Sequence, residues 1–322
     1  MKEIPEISIV VPVFNEDKNI DKLFQEVSRV FREKIRTSFE IIFVDDGSTD
    51  STWGSINCLA DDHPEVRGIR FTRNFGHQYA IKAGLDAAAG QAVVSMDADL
   101  QHPPDVLADF YRHWKLGYDI VYARRKANHH AGFLKNLTSR LYYSFINSIS
   151  DTRIEEGVSD FRLLDRKVVN ELKNMNEYFL FLRGMVQWTG FKSFVLDYEA
   201  DKRFSGKTKF TLKKMISLAI NGITSFSVRP LRIATLSGIL VSVIAFVYII
   251  YALIAKFMLH NALPGWTSIL ISVLFLGGIQ LITIGILGEY IGKMFMEIKQ
   301  RPKYIVREKR EPNFYGSQNQ DQ

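Results

Sequence analysis

The sequence predicts an α/β fold with a doubly wound, mostly parallel sheet, followed by two membrane-spanning helices. Short apolar runs of strand length alternate with segments whose apolar residues recur at helical spacing, which is the pattern of successive βαβ units. The apolar residues also concentrate after residue 232, so the last third of the 322-residue chain differs in character from the rest. We therefore expect one globular domain and a membrane-inserted C-terminal part.

The individual elements follow from this alternation. The first run, ISIVVPV at Ile7–Val13, is continuously apolar, as in a parallel strand that is covered on both faces. Further strands are predicted at 40–44, 66–71, 92–96, 119–123 and 195–198. Helices are predicted at 18–31, after an N-cap at Ser48 or Asp50, and at 79–89, 105–114, 133–149 and 166–175.

Composition limits the classes of partner. The formal net charge is +6, but the basic residues lie around the C-terminal apolar segments and in a few loops. This distribution favours a membrane surface or phosphorylated substrates over nucleic acid. The single cysteine, Cys58, excludes an intrachain disulfide. The N-terminal apolar run is short and is followed by Asn15 and Glu16, so it predicts a strand and no signal peptide.

Polar or acidic pairs follow three of the predicted strands. They are Asn15-Glu16, Asp45-Asp46 and the pair Asp97 and Asp99, which stand one residue apart. The carboxyl ends of parallel strands meet at one edge of a sheet, where open α/β sheets bind ligands. Helix capping explains any one of these pairs, but it explains three converging pairs poorly. Asp97 and Asp99 have two interpretations, a turn cap or a divalent-cation site that holds a diphosphate.

Basic loops are predicted near the same edge. Arg124 and Arg125, followed by Lys126, come directly after a strand, and the Gly-containing loop at 203–210 carries Arg203, Lys207 and Lys209. Such loops are usually only solvated. Here they are placed to give charge-assisted hydrogen bonds to an anionic ligand.

The C-terminal third predicts a membrane hairpin. An amphipathic juxtamembrane helix is expected within 211–232, ended by Pro230, and two uncharged spans follow at about 233–255 and 266–288. Basic residues flank the outer ends of both spans, which predicts that the globular domain and both termini lie in the cytoplasm. The alternative is a buried soluble hairpin. We expect domains at 1–210, 211–232, 233–292 and 293–322, the last a basic cytoplasmic tail that is disordered from Glu311.

A set of motifs in this order resembles one family. The motifs are VVPVFNE (10–16), VDDGSTD (44–50), FTRNFGH (71–77), DADLQHPP (97–104), EEGVSDFRL (155–163), RFSGKTKF (203–210), ITSFSVRPLR (223–232) and the closing stretch at 277–304. Together they resemble membrane-anchored family 2 glycosyltransferases of the polyprenyl-phosphate type. That group includes dolichol-phosphate mannose synthases and, more similar to this chain, bacterial bactoprenol glucosyltransferases of O-antigen modification. The resemblance runs from residue 7 to about residue 306.

The resemblance implies a GT-A fold and assigns residues to sites. Donor binding is implied for Pro12, Phe14, Glu16, Asp45, Asp46, Asp97, Ala98, Asp99 and Gln101. A divalent cation, Mg²⁺ or Mn²⁺, is implied at Asp97, Asp99 and Gln101. Catalytic roles are implied for Asp160 and Arg203, and phosphate or acceptor binding for Arg124, Arg125, Lys207 and Lys209. The histidines, including His77, are more consistent with surface or supporting positions, because such cations prefer oxygen ligands.

The implied reaction moves one sugar, with inversion, from a nucleotide sugar to undecaprenyl phosphate at the inner membrane. UDP-glucose is the favoured donor; galactose, N-acetylglucosamine, mannose and aminoarabinose donors are alternatives. Gln187-Trp188 does not complete the Gln-x-x-Arg-Trp signature of processive synthases, which argues for a single transfer. A sugar-phosphate transferase and a non-catalytic membrane scaffold are competing classes. Relatives suggest a homotetramer.

The acceptor also bears on the role of Asp160. A phosphate monoester has a second pKa near ~6 and is mostly dianionic at neutral pH. We therefore expect Asp160 to take up a residual proton, or to orient the acceptor or its neighbouring cations, more than to act as a strong general base.

Two anionic substrates meeting in one crevice make its cations important. We predict that Arg203→Ala strongly reduces sugar transfer while the fold stays intact, because the substitution removes a phosphate-binding charge. The measurement is the transfer rate in detergent beside a thermal unfolding curve. A normal rate would contradict the prediction.

Overall fold

The computed structural model describes residues 4–125, 158–199, 229–258 and 265–311. The strands are β1 Ile7–Val13, β2 Phe39–Asp45, β3 Val66–Phe71, β4 Ala92–Ser95, β5 Ile120–Arg125, β6 Val158–Asp165, β7 Ser193–Tyr198 and β8 Val306–Arg310. The helices are α1 Ile20–Val30, α2 Thr52–Asp62, α3 His77–Ala87, α4 Val106–Lys115, α5 Arg166–Asn174, α6 Leu182–Trp188, α7 Arg229–Met258 and α8 Trp266–Ile298. A π-helical turn at Phe31–Ile35 extends α1.

The strands form one eight-stranded sheet in the order β7-β5-β6-β4-β1-β2-β3-β8. Strands β1, β2, β3, β4, β5 and β7 run in one direction, whereas β6 and β8 run against their neighbours. This confirms the predicted mostly parallel α/β sheet. Since β2 and β3 lie on one side of β1 and β4 lies on the other, the chain reverses its direction of winding between β1 and β4. Ligands of open α/β sheets bind at such a switch point.

Apolar layers cover both faces of the sheet. Helices α1, α2 and α4 pack on one face and helices α3, α5 and α6 on the other. The residues of β1 alternate between the two layers and are at most 2% exposed, which explains why this strand is apolar at nearly every position. Helix α3 lies so near β1 that a Cβ at Gly84 would approach Val10 Cγ1 to 2.1 Å.

Most predicted elements are present, with shifted ends. The two proposed N-caps of α2 are wrong, because Ser51 occupies that position. Asp50 instead accepts a hydrogen bond from the Thr52 amide at 3.0 Å. Ser48 donates its amide to Asp45 at 2.8 Å and belongs to the loop after β2. Pro230, predicted to end a helix, lies in the first turn of α7, where a missing amide hydrogen costs nothing.

The sequence analysis missed β6, α6 and β8. Strand β6 carries the charged residues Asp160 and Arg162 at buried positions, so its pattern does not read as a core strand. Strand β8, with the sequence VREKR, is polar and forms an antiparallel ladder with β3 at the sheet edge. Residues 293–310, predicted as tail, therefore contain the end of α8 and a strand. The strand predicted at 195–198 is present as β7, and β8 follows it in the chain.

Helices α7 and α8 have the length and composition of membrane spans. They contain 30 and 33 residues, and their most apolar windows are Leu231–Tyr248 and Phe275–Ile298. No residue in either window is buried within the described chain. This contradicts the alternative of a buried soluble hairpin, whose helices would be covered by protein. At ~1.5 Å per residue each helix exceeds the ~30 Å hydrocarbon layer. The protein is membrane-associated through this hairpin.

The segment after α8 returns to the globular domain. Tyr304 stacks on Phe71 with ring centroids 4.9 Å apart, and the Thr72 amide donates to the Ile305 carbonyl at 3.0 Å. Farther along, Glu308 accepts a hydrogen bond from Trp53 Nε1 at 2.9 Å. The globular domain is thus attached to the membrane hairpin by the chain on both sides of it.

Several predictions concern residues outside the described ranges. They are the helix at 133–149, Lys126, the basic loop at 203–210, the part of the juxtamembrane helix predicted at 211–232 that precedes residue 229, and the polar tail beyond Glu311. The predicted domain boundaries remain predictions.

We predict that truncation after Ile305 destabilises the globular domain, because β3 loses its edge partner together with the Trp53–Glu308 hydrogen bond. A loss of about 2 kcal/mol or more would lower the melting temperature by roughly 4–8 °C. Thermal unfolding in detergent measures the shift. Truncation after Glu311, which keeps β8, is the control and should melt like the full chain. Equal melting of the two truncated proteins would contradict this role of β8.

Candidate functional site

The candidate site lies along the sheet edge formed by the carboxyl ends of β1, β2, β4 and β5. The amino end of β6 reaches the same edge because this strand is antiparallel to β4 and β5. The Asp46 amide donates to the Val13 carbonyl at 2.9 Å. His77 Nε2 lies 3.5 Å from Asp97 Oδ1 and 3.9 Å from Asp160 Oδ2. The structure therefore brings the three predicted strand-end clusters and Asp160 to one edge.

The loops after β1 and β2 are joined by hydrogen bonds. Asn15 has a positive φ of 56°, and its side chain accepts from the Thr49 amide at 2.9 Å while its own amide donates to Ser48 Oγ at 2.9 Å. The Glu16 amide donates to Thr52 Oγ1 at 2.9 Å, and the Glu16 carboxylate accepts from Asn19 at 2.6 Å. These bonds fix the backbone of the predicted donor-binding segment, which also contains buried Pro12 and half-buried Phe14.

Asp45 and Asp46 have buried carboxylates that support the surrounding loops. Asp45 accepts from the Ser48 amide and lies 3.3 Å from Arg70 Nε. Asp46 accepts from the Phe75 amide at 2.7 Å and from the Gly76 amide at 2.9 Å. Burial raises the pKa of Asp46, and these amide donors oppose the increase only in part. Both carboxylates are thus committed to the fold of this edge, and their contact with a donor stays a prediction.

The segment after β4 presents the predicted metal-binding carboxylates. Leu100 adopts a positive φ of 59°, which turns the chain so that the Gln101 amide donates to Asp99 Oδ1 at 3.1 Å. The Asp97 side chain is 39% exposed. Ala98, between the two acids, is buried. The acids therefore flank an anchored alanine at the open edge of the sheet.

The buried His102 supports this segment from the protein interior, a role that the sequence analysis did not assign. Its ring stacks on Phe161 with centroids 4.6 Å apart and an interplanar angle of 11°. Its Nδ1 accepts the Asp97 amide hydrogen at 3.2 Å. Burial lowers the pKa of His102, more than the nearby carboxylates raise it, so the ring is neutral and able to accept that bond.

Asp160 lies at the centre of a buried charge cluster. Arg162 donates Nη2 to Asp160 Oδ1, and Arg183 donates Nε to Oδ1 at 3.1 Å and Nη2 to Oδ2 at 3.0 Å. Gln78 Nε2 donates to Oδ2 at 3.1 Å, and Gln78 Oε1 accepts from the Leu182 amide at 3.2 Å. Arg183 and Gln78 were missed by sequence reasoning, since each is distant from Asp160 in the chain and lies in no predicted motif.

This cluster holds Asp160 in its ionised form. Burial alone would raise the pKa of Asp160, but the charges of Arg183 and Arg162 outweigh burial and hold that pKa well below its ordinary range. A carboxylate with a depressed pKa contributes stability that is complete above its unfolded-state pKa of ~3.9 and is lost as the pH falls. At neutral pH the whole contribution is present, and Asp160 is a poor proton acceptor in this arrangement.

Arg124 and Arg125 lie at the predicted position, at the carboxyl end of β5. The guanidinium of Arg124 forms a bidentate ion pair with Asp197 of β7, with Nε–Oδ1 and Nη2–Oδ2 distances of 2.6 and 3.1 Å. Both partners are about half exposed. Arg203, Lys207 and Lys209 lie outside the described residues, so their predicted roles stay predictions.

The carboxylate oxygens of Asp97 and Asp99 are suitable ligands for a hard divalent cation. Carboxylate oxygens are the ligands that Mg²⁺ prefers, and it is usually held by one or two carboxylates plus substrate phosphates. In the described part of the chain no group of three or more His, Cys, Asp or Glu residues could hold a metal. A cation at these two acids would therefore need further oxygens from a bound ligand such as a diphosphate.

Comparisons with known proteins show the family of the chain. The model described as glycosyl transferase family 2 matches residues 8–173, and the GtrB C-terminal hairpin model matches residues 229–294. A prophage bactoprenol glucosyl transferase homolog of Escherichia coli (strain K12) is 45% identical over 301 residues, which cover 94% of this chain and 98% of that protein. The SfII prophage-derived bactoprenol glucosyl transferase of Shigella flexneri is 44% identical over 307 residues, covering 95% and 99%. The uncharacterized glycosyltransferase YkcC of Bacillus subtilis (strain 168) is 41% identical over 315 residues, covering 97% and 95%.

We predict that Asp160→Asn destabilises the protein far more than Asp197→Asn. Both aspartates pair with arginine, but Arg162 is 2% exposed and would be left as a buried, uncompensated charge. Breaking a buried pair costs about 3–5 kcal/mol, against roughly 0.2–1 kcal/mol for an exposed pair. Thermal unfolding of both variants at pH 7 checks the difference. Similar melting temperatures would contradict the structural role of Asp160.

Proposed function

The chain belongs to glycosyl transferase family 2, and from that membership we propose that it transfers one glucose from UDP-glucose to a polyprenyl phosphate, with inversion at the anomeric carbon. Two of the relatives that match nearly the whole chain are named bactoprenol glucosyl transferases. The family makes the chain a glycosyltransferase. The identity of the sugar and of the polyprenyl chain is part of the proposal.

One observation carries the proposal. The partly exposed acids Asp97 and Asp99 lie beside the Asp160 cluster, with His77 within 3.9 Å of both Asp97 and Asp160. The first pair suits the diphosphate of a donor through a cation. The second cluster contains two arginines for one carboxylate, so it has a net charge of +1 and suits an anionic acceptor. Two anionic substrates would then occupy neighbouring sites, one bound through a cation held by carboxylates and the other bound directly by arginines.

Asp97 and Asp99 would hold the divalent cation, Mg²⁺ or Mn²⁺, with Gln101 as a further candidate ligand. Bound there, the cation would supply charge neutralisation for the diphosphate that leaves. His102 holds the backbone at Asp97, and the turn at Leu100 sets the direction of Asp99. This support keeps the two carboxylates in place before a ligand arrives, which is the arrangement that electrostatic catalysis requires.

The reaction balances without a strong base. An oxygen of the acceptor phosphate forms a bond to the anomeric carbon, the bond from that carbon to the diphosphate oxygen breaks, and its electron pair leaves with UDP. The acceptor is mostly dianionic at neutral pH, since its second pKa is near ~6, so no proton needs to be removed. This suits an Asp160 that is ionised and paired, whose task is to hold cations in position.

The proposal puts the site near the bilayer surface, and contacts between the globular domain and the end of the hairpin support this. Tyr178 donates its amide to Glu297 near the end of α8 at 2.8 Å, and Lys303 donates to the Met175 carbonyl at 3.1 Å. The basic residues that flank the spans favour a cytoplasmic position for both ends of the hairpin. We propose an inner-membrane, two-span protein with a cytoplasmic catalytic domain that assembles as a homo-oligomer, by resemblance a tetramer, and does not act on nucleic acid.

We predict that the purified full chain, given undecaprenyl phosphate and Mg²⁺ or Mn²⁺, transfers label from UDP-glucose in preference to UDP-galactose, UDP-N-acetylglucosamine or GDP-mannose. A panel of labelled donors with analysis of both products measures this. The nucleotide product should be UDP, and a chelator should abolish transfer until the cation is restored.

Each outcome of the panel has a separate meaning. Preference for another nucleotide sugar with release of the nucleoside diphosphate keeps the reaction and changes the sugar. Release of a nucleoside monophosphate would make the chain a sugar-phosphate transferase. Metal-dependent nucleotide binding without transfer to any polyprenyl phosphate would contradict the proposed reaction.

A further inference from the structure

We propose that Arg183 binds the phosphate of the acceptor, exchanging its ion pair with Asp160 for one with the incoming anion. This inference rests on the proposed function and names a residue of the acceptor site. Arg183 lies on α6, a helix that no sequence motif indicates, and its role follows from four features of its surroundings.

The first feature is the difference between the two arginines at Asp160. The Arg162 side chain is 2% exposed and lies two residues away on the same strand, so it remains with Asp160 in any state of the site. The Arg183 side chain is 37% exposed, although its hydrogen bonds to Asp160 reach a buried carboxylate. A ligand from solvent can therefore reach the Arg183 side chain.

The second feature is charge. With Arg162 and Arg183 the cluster has a net charge of +1, and without Arg183 it is neutral. A phosphate that approached the Asp160 carboxylate directly would meet a like charge. Because the Arg183 side chain is 37% exposed and the Asp160 side chain only 9%, an anion from solvent can reach the cation more readily than the carboxylate. A planar guanidinium group also matches phosphate with two parallel hydrogen bonds, which a lysine does not.

The third feature is the position relative to the donor site. Inversion requires that the acceptor oxygen approaches the anomeric carbon opposite the leaving diphosphate. The diphosphate is assigned to Asp97 and Asp99, and His77 separates Asp97 from Asp160 with distances of 3.5 and 3.9 Å. The Asp160 side of His77 is therefore where the acceptor phosphate belongs, and this is the side that Arg183 occupies.

The fourth feature is the connection to the membrane. The segment immediately before α6 contacts the cytoplasmic end of α8, where the Tyr178 amide bonds Glu297 and Lys293 Nζ lies 5.3 Å from the Phe179 ring centroid. Only four residues separate Tyr178 from Arg183. A lipid headgroup at the end of the hairpin is thus near the residue that would receive its phosphate.

Gln78 would continue to donate a hydrogen bond to Asp160 if Arg183 turned away from it. It donates to Asp160 Oδ2 and also accepts from the Leu182 amide, so it fixes the start of α6 next to the carboxylate. When the guanidinium group turns to a phosphate, Asp160 keeps Arg162 and Gln78.

The test is binding and kinetics of Arg183→Gln and Arg183→Lys in the full chain in detergent. Binding of undecaprenyl phosphate in the absence of donor should weaken by about 10- to 100-fold in Arg183→Gln and by less in Arg183→Lys. The KM for the nucleotide sugar should change less than about twofold, so that the loss falls on the acceptor. Arg112→Gln, which removes an exposed arginine of α4 paired with Asp109, is the control and should behave as wild type.

The outcomes separate this inference from the proposed function. Wild-type binding of undecaprenyl phosphate that is lost in Arg183→Gln supports the inference even where glucose is not the sugar transferred. Acceptor binding within twofold of wild type in both variants overturns it. An equal loss for donor and acceptor also overturns it, because that result indicates a purely structural role. If Arg183→Gln does not fold, Arg183→Lys keeps the charge beside Asp160 and decides the question. If the wild-type chain binds no polyprenyl phosphate, the inference and the proposed acceptor fail together.

Discussion

The buried carboxylate of Asp160 imposes the constraint on which the site depends. A charge at this depth is stable only when it is paired and hydrogen-bonded, and three elements supply its partners. Strand β6 provides Arg162, the start of α3 provides Gln78, and α6 provides Arg183. Two ion pairs and the Gln78 hydrogen bond therefore link β6 to α6 and α3 at the edge where β4 and β6 meet. Since Asp160 and Asp97 both lie near His77, the same contacts that stabilise the fold also border the space next to Asp97.

The acidic residues of this edge fall into two groups that the sequence does not distinguish. Asp45 and Asp46 are buried and accept hydrogen bonds from loop amides, and Asp45 also pairs with Arg70. They therefore stabilise the loops of this edge. Asp97 and Asp99 are partly exposed and lie on a segment that His102 and a left-handed turn hold in place. A carboxylate next to a strand end can thus either accept hydrogen bonds from loop amides or remain accessible to a ligand. Which of the two applies depends on the hydrogen-bond donors around it.

Hydrophobic periodicity was sufficient for the parallel half of the fold. The runs at β1 to β5 and the helices between them were predictable, because each buries an apolar face at a regular spacing. It was insufficient where backbone pairing or charge determines the structure. Strand β6 contains buried Asp160 and Arg162, and the polar β8 is held by its ladder with β3 and by Glu308. The site followed the same division: motif residues were identifiable, whereas Gln78 and Arg183 reach Asp160 only through the tertiary fold.

Strand β8 has a consequence for the order in which the protein is made. During synthesis β1 to β7 leave the ribosome first, then both apolar helices, and only afterwards the strand that covers the edge of β3. An uncovered edge strand is a template for unwanted pairing with other chains. The β3 edge of the globular domain therefore stays unpaired in the nascent chain until the hairpin has been synthesised. Completion of the sheet is in this way coupled to biogenesis of the membrane anchor, and an aborted chain would carry its own aggregation signal.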